Sequence, residues 1–175
     1  MLSDRQKEYI KNLPKETAEK PVMIFPWDKK GLEIAQSVID NINSAEPDLE
    51  VFLRGSLPLK IAGQKDIDLI SVDTISSFES HKLKLEKVLG KPNKINDSSI
   101  VWHFFKEGYE VSFYIVDPEK SDQLQRQTRM NDLFKNNPTL LTQYEQLKLS
   151  LNNKPYRFYL EKKYEFFNEI GKKII

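Results

Sequence analysis

Apolar residues recur every three to four positions in some stretches of the chain and every second position in others, and the switches between the two periods outline its elements. Residues 2–13 set spaced apolar positions in a charged background and predict a short helix ended by Pro14. A polar connector leads into VMIF (22–25), a brief apolar run that reads as a strand or an extended segment. Leu32, Ala35, Val38, Ile39 and Ile42 then share one helical face, which predicts a helix packed on a sheet. LEVFLRG (49–55) reads as a strand, SLPLKIAGQK (56–65) as a turn-rich crossover, and DIDLISV (66–72) as the next strand. A helix is expected over 77–89, with Phe78, Leu83, Leu85 and Val88 on its apolar side. The stretch from Ser98 to Pro118 predicts a hairpin, with 100–105 leading out, Lys-Glu-Gly turning, and 109–116 returning.

From Ser121 the period is helical throughout. One helix runs up to Pro138; Leu140, Leu141, Tyr144, Leu147 and Leu151 form a second stripe; Tyr159, Phe166, Phe167 and Ile170 form a third. These aromatic stripes are expected to be core. No repeat or low-complexity tract interrupts the chain, which divides into 1–21 (N-terminal helix and connector), 22–118 (sheet-bearing core) and 119–175 (C-terminal helical extension). The fold class is α/β in the α+β sense: a mixed sheet with flanking helices and a C-terminal helical subdomain.

Composition narrows the chemistry. The 175 residues are 39% hydrophobic and 30% charged, enough for a real core. A formal charge of +1 argues against wholesale attraction to nucleic acid or membrane, and leaves only a local basic patch open. The absence of cysteine removes disulfides, thiolate metal sites and cysteine nucleophiles. With neither a hydrophobic signal core nor an apolar window of membrane-spanning length, the expected location is cytoplasmic.

The most informative stretch is VFLRGSLPLKIAGQKDIDLISV (51–72). Alternate strand residues share a face, so Asp66 and Asp68 project together while Ile67 and Leu69 face the core. Two like charges at that range repel, and an oxygen-only pair suits a hard cation, Mg²⁺ or Mn²⁺. Gly55 and Ser56 follow an apolar strand, where backbone N–H groups can approach an anion closely. Glu110, between Tyr109 and Val111 in the return strand, is the candidate third carboxylate and metal ligand, with Ser112 a weaker polar participant on its face. Arg54, Lys60 and Lys65 flank the loop and could neutralise a triphosphate, although solvated surface lysines are commoner. His103, between Trp102 and Phe104, reads as a structural or exposed strand histidine before a base or ligand. His81 reads as surface. Trp27 and Trp102 read as core or rim before base-stacking residues.

An apolar strand, Gly-Ser, a gap of ten residues from Gly55 to Asp66, and then apolar–Asp–apolar repeated in a strand resemble the signature of the DNA polymerase β-like nucleotidyltransferase superfamily. A second resemblance covers most of the chain. IFPWDKKGLEIAQSVIDNI followed by RGSLPLKIAGQKDIDLI is similar to the opening of GrpB-family proteins, and MNDLFKNNPTLLTQYEQLK and KYEFFNEI are similar to that family's C-terminal helices. The resemblance maps family positions onto Gly55, Ser56, Asp68, Asp132 and Lys163, with Leu147 and Lys148 also matched, and implies that Lys163 brings a cation to the nucleotide. The chain departs from the family at Leu57, where Thr is usual, at Asn131, where Arg is expected, in a loop about one residue shorter, and at Asp66, where an apolar residue is common.

Together these readings imply a nucleotidyltransferase-type fold and Mg²⁺- or Mn²⁺-dependent transfer of a nucleotidyl group from a nucleoside triphosphate, ATP being the expected donor, to an unidentified acceptor hydroxyl. Asp66, Asp68 and Glu110 would be both catalytic residues and metal ligands. Arg54, Gly55, Ser56, Lys60, Lys65 and Lys163 would bind the nucleotide. The near-neutral charge disfavours RNA as acceptor, no membrane partner is expected, and the oligomeric state is left open. Two alternatives stand beside this reading: a non-catalytic module of the same fold that binds a nucleotide or phosphometabolite, and a protein-interaction domain that uses the aromatic helices.

Overall fold

The computed structural model describes residues 1–171, the side chains of 122–125 excepted. By its contacts the chain forms two compact units. One spans Trp27–Ile61 and Lys65–Asn137 and contains the sheet. The other gathers Met1–Pro26, Ala62–Gln64 and the residues from Pro138 on.

The sheet unit has five strands, β1 (Phe52–Arg54), β2 (Asp66–Val72), β3 (Lys94–Ile95), β4 (Ser99–Lys106) and β5 (Tyr109–Val116), in the order β1-β2-β5-β4-β3. β2 and β5 run parallel and the other neighbours antiparallel. The expected hairpin is β4–β5. Its two turn residues, Glu107 (φ 50°) and Gly108 (φ 82°), both have the positive φ that a tight hairpin needs to follow strand twist.

Strict alternation gives the sheet one apolar face. Ile67 and Leu69 of β2, Val111, Phe113 and Ile115 of β5, and Ile100 and Trp102 of β4 are buried with residues of two helices. Helix α3 (Lys29–Ala45) starts where Asp28 accepts the Lys30 N–H, and buries Ile34, Ala35, Val38 and Ile42. Helix α4 (Phe78–Leu89) buries only Phe78 and Leu85. Leu83 and Val88, expected on its apolar side, are exposed, because a 12-residue helix over a three-to-four-residue stripe does not need them. Trp102 is core, stacked on Phe113 at 5.6 Å, and its Nε1–H donates to the Gly90 carbonyl at 2.9 Å. Helix α5 (Asp122–Asn136) also belongs to this unit.

His81 corrects the surface reading. Its ring, 13% exposed, lies between two carboxylates, Nδ1 at 2.8 Å from Glu46 Oε1 and Nε2 at 2.6 Å from Asp73 Oδ2. Both partners are acceptors, so the geometry is met when both ring nitrogens donate. Burial raises the Glu46 carboxyl, but hydrogen bonds from Lys84 and His81 and their charges outweigh it and hold the group below its ordinary 4.5. For Asp73 the His81 hydrogen bond comes first; burial opposes it, and the Thr74 N–H and Ser77 help hold the group below its ordinary 3.8. Both folded values are depressed. The stability these acids add is therefore complete above their ordinary values and is lost as pH falls from about 4.5 through the lower folded ones. His81→Ala should cost about 1–3 kcal/mol at pH 7, since Glu46 stays buried with Lys84 alone, and should flatten the acid limb. Urea unfolding at pH 7 and pH 4 checks this, and equal stability of the two proteins at pH 7 would remove the bridge from the account.

The helical unit comprises α1 (Asp4–Lys11), α2 (Lys15–Glu19), α6 (Pro138–Ser150) and α7 (Tyr156–Gly171), with α1 and α2 packed on α7. Ser3 and Gln6 close a capping box on α1. α2 lies in the stretch read as a connector. VMIF is the extended alternative and forms no named strand: isolated bridges join Pro21, just before it, to Pro155 and its own Phe25 to Gly63. Val22 and Ile24 instead join Ala62, Leu151, Tyr159 and Leu160 in a second core. Ala62 is held at both backbone groups by α6. Its N–H donates to Glu145 Oε1 at 2.7 Å, and its carbonyl accepts from Lys148 Nζ, a buried ammonium. The units thus divide the chain otherwise than 1–21, 22–118 and 119–175: the N-terminal residues pack with the late helices, and α5 goes with the sheet. Among the described residues no helix is long and apolar enough to cross a membrane.

Candidate functional site

The three acids singled out in the sequence lie on the sheet face opposite the apolar one, and strand register sorts them and their neighbours into cross-sheet rows. Arg54, Asp68, Ser112 and His103 form one row across β1, β2, β5 and β4. Asp66, Glu110 and Phe105 form the next, and Phe52, Ile70, Tyr114 and Val101 a third. Asp66 and Glu110 are direct partners across the parallel pair β2–β5, so the structure puts all three proposed acids on one face, in adjacent rows.

Gly55 is fixed by this arrangement. Its φ is +79°, and a Cβ there would stand 2.9 Å from Asp68 Oδ2. Only a residue without a side chain lets the Asp68 carboxylate lie this close to the Gly-Ser backbone. The loop that follows is anchored from the core: the Leu57 carbonyl accepts from Trp27 Nε1 at 3.0 Å and from the Lys60 N–H at 3.2 Å. Leu57 itself is buried, and a Cβ on Gly31 would come within 2.8 Å of its Cδ1. Leu at position 57 therefore anchors the loop by packing.

The flanking cations are spread out. Lys60 (φ 57°), in the middle of the crossover, and Lys65 (φ 60°), its last residue, both adopt the left-handed backbone that non-glycine residues rarely take. The Lys65 ammonium lies 5.8 Å from the Tyr109 ring centroid, while its carbonyl accepts the Glu110 N–H at 3.0 Å and ties the start of β2 to β5. Arg54 sits over Phe52 at 5.2 Å. Lys163 is on α7 in the helical unit, 5.8 Å from the centroids of both Tyr159 and Phe167. Asp132 is exposed on α5; its neighbour Asn131 is 6% exposed, and neither atom of its amide has a hydrogen-bond partner among the described residues.

Electrostatically the face is acidic. Burial is the main cause holding the Tyr114 hydroxyl above its usual range; a Ser112 hydrogen bond opposes it, and the charges of Asp68 and Glu110 add to it. Both acids are thus felt at the middle of β5. His103 is exposed, its Nδ1 2.8 Å from Ser112 Oγ and its ring edge-on to Tyr114 at 5.9 Å. Two features of this face escaped the sequence reading: the His103–Ser112 pair and the exposed Phe105. The alternation Val101, His103, Phe105 opposite Ile100, Trp102, Phe104 carried the signal for both.

Among the described residues no three His, Cys, Asp or Glu side chains converge as an all-protein metal cage requires. Mg²⁺ seldom uses such a cage; it takes one or two carboxylates and completes its shell with water and phosphate oxygens. The hard-oxygen pair Asp66 and Asp68, beside a glycine that admits no side chain, fits that requirement, with Glu110 one strand away.

No family model matches the chain, and no curated protein matches it in sequence. Its fold is shared with solved structures. The crystal structure of the conserved protein GrpB from Enterococcus faecalis superposes with a TM-score of 0.64 at 12% identity, over 85% of this chain and 99% of that one. A MgGTP-bound structure of the Cid1 poly(U) polymerase gives a TM-score of 0.49 at 14% identity, over 77% of this chain and 45% of that one. A structure reported for the RNA terminal uridylyl transferase activity of Cid1 gives 0.48 at 16% identity, with 77% and 44% covered. The GrpB resemblance read from the sequence is thus met in three dimensions: the chain has a mixed α+β fold that it shares with that GrpB structure.

Proposed function

We propose that this protein transfers a nucleotidyl group from a nucleoside triphosphate, with ATP as the expected donor, to an acceptor hydroxyl, using Mg²⁺ or Mn²⁺. The observation that carries the reading is the fit of Asp68 against Gly55, in a row adjacent to the Asp66–Glu110 pair. A divalent cation on the aspartates would neutralise them and polarise the α-phosphate. Asp66 and Asp68 would hold that cation at the reacting end of the donor, with Glu110 beside them on β5. Gly55 and Ser56 line the phosphate side, where Arg54, Lys60 and Lys65 balance charge. The acceptor oxygen attacks the α-phosphorus. A new O–P bond forms as the bond to the β-phosphate oxygen breaks, pyrophosphate leaves with the electron pair, and the hydroxyl proton passes to water. No side-chain nucleophile is needed.

One observation favours the non-catalytic alternative, namely that the three acids do not converge on a single point among the described residues. Thermal denaturation with each nucleoside triphosphate, with and without Mg²⁺ or Mn²⁺, separates the two. The transfer reading expects metal-dependent stabilisation, about 2.7 kcal/mol at a hundredfold excess over Kd, and its loss in Asp68→Asn. Stabilisation that needs no metal and survives in Asp68→Asn would favour the binding module. No stabilisation by any nucleotide would end the nucleotide reading.

A further inference from the structure

The order of elements across the open face implies a direction. Gly55 and Ser56 follow β1, the aspartates lie on β2, Glu110 on β5, and His103 and Phe105 on β4. If the donor's phosphates lie at the Gly-Ser end, the leaving pyrophosphate departs toward β1. In-line displacement then requires the attacking hydroxyl to arrive from the other side, over β5 and β4. What waits there is an anomaly. Phe105 is 78% exposed, and it sits on the face that carries the acids, directly opposite Glu110. It makes no ring contact among the described residues. Two positions along the same strand and on the same face is a second exposed ring, His103, whose orientation is set by Ser112 and the edge of Tyr114. A single exposed aromatic on a surface needs no explanation. Two flat rings on one strand face, adjoining an acidic site on the side from which an acceptor must come, make a stacking platform for a planar ring.

We propose that Phe105, supported by His103, stacks the base of a nucleoside acceptor whose sugar hydroxyl is the attacking group. The assignment rests on the transfer reading above. Every base presents a flat π-face, so such a platform binds nucleosides without strong choice among them, and it adds no positive charge to an acidic face. A nucleoside or short oligonucleotide end suits it better than a long polyanion.

The test uses uridine as acceptor probe, titrated by NMR into the full-length protein saturated with Mg²⁺ and the α,β-methylene analogue of ATP. Phe105→Ala should weaken uridine binding roughly 5- to 150-fold, the range typical of base–aromatic stacking, and Phe105→Trp should restore it. The analogue's own thermal shift should be the same in all three proteins. Because Phe105 is exposed, the variants should fold as the wild type does. Uridine binding that is unchanged in Phe105→Ala, or absent from the wild type, overturns the platform while leaving the transfer reading intact. Weakened binding of the analogue instead of uridine overturns the acceptor assignment, because the ring would then belong to the donor. A wild type that gives no shift with the analogue fails at the earlier step, and the acceptor role falls with it.

Discussion

Trp102→Ala is expected to lower stability by about 3–5 kcal/mol, enough to place a domain of ordinary stability close to its unfolding threshold. The indole is 1% exposed on the apolar sheet face, stacked on Phe113, in a core that also takes residues from α3, α4 and the strands β2 and β5. Truncation removes the transfer free energy of the largest fully buried side chain and leaves a cavity whose walls are a sheet and two helices, elements that cannot easily collapse inward. It also strips the Gly90 carbonyl of its indole donor. Trp102→Phe should keep most of the packing and cost about 1–2 kcal/mol, which isolates the hydrogen bond and the lost ring. Urea unfolding of the three proteins checks the series. A loss below about 1 kcal/mol for the alanine variant would show that the sheet face is packed around something else.

The second large effect is expected at Gly55. Gly55→Ala should cost about 1–2 kcal/mol for placing an L-residue at φ +79°, and more because its Cβ would meet Asp68 Oδ2 at 2.9 Å. The two parts separate in a double-mutant cycle. In an Asp68→Ala background the carboxylate is gone and only the backbone cost remains, so the penalty for Gly55→Ala should shrink by about 1 kcal/mol. Identical penalties in both backgrounds would mean that the carboxylate swings aside at no cost. The single variant should also lose nucleotide-dependent stabilisation, because the acid must move to admit the methyl group.

Much of this site was legible in the sequence for a simple reason: strand period is rigid. Once 66–72 is a strand, Ile67 and Leu69 fix one face and Asp66 and Asp68 must take the other. The hairpin was legible too, but its register was not: the sequence suggested Lys106-Glu107-Gly108 as the turn, whereas Lys106 pairs with Tyr109 as the last residue of β4 and the chain turns in two residues. What stayed hidden depends on partners distant in sequence. His81 looked like a surface residue among charges, because nothing nearby in the chain announces that Glu46 and Asp73 meet its two nitrogens. Leu57 read as a departure from a motif, and its anchoring role is visible only once Gly31 and Trp27 are beside it. VMIF had the composition of a strand, but its Val22 and Ile24 are buried against Leu151, Tyr159 and Leu160, and that burial took the place of strand pairing.

The clamp on Ala62 has a consequence in time. Its two backbone groups are satisfied by Glu145 and Lys148, 83 and 86 residues further along the chain, and the Ile24 N–H waits for Asn152, 128 residues away. At a synthesis rate of about 5–20 residues per second, Ala62 leaves the ribosome roughly 4–17 s before its partners exist. During that interval, with Gly55 and Ser56 already made, the strand carrying both aspartates is completed and the strands beside it can pair. Its far end is still tethered to water, and the apolar Val22 and Ile24 lack the helices that cover them. The nascent chain is therefore most exposed to chaperones and proteases while its sheet is complete and its last two helices are still being translated.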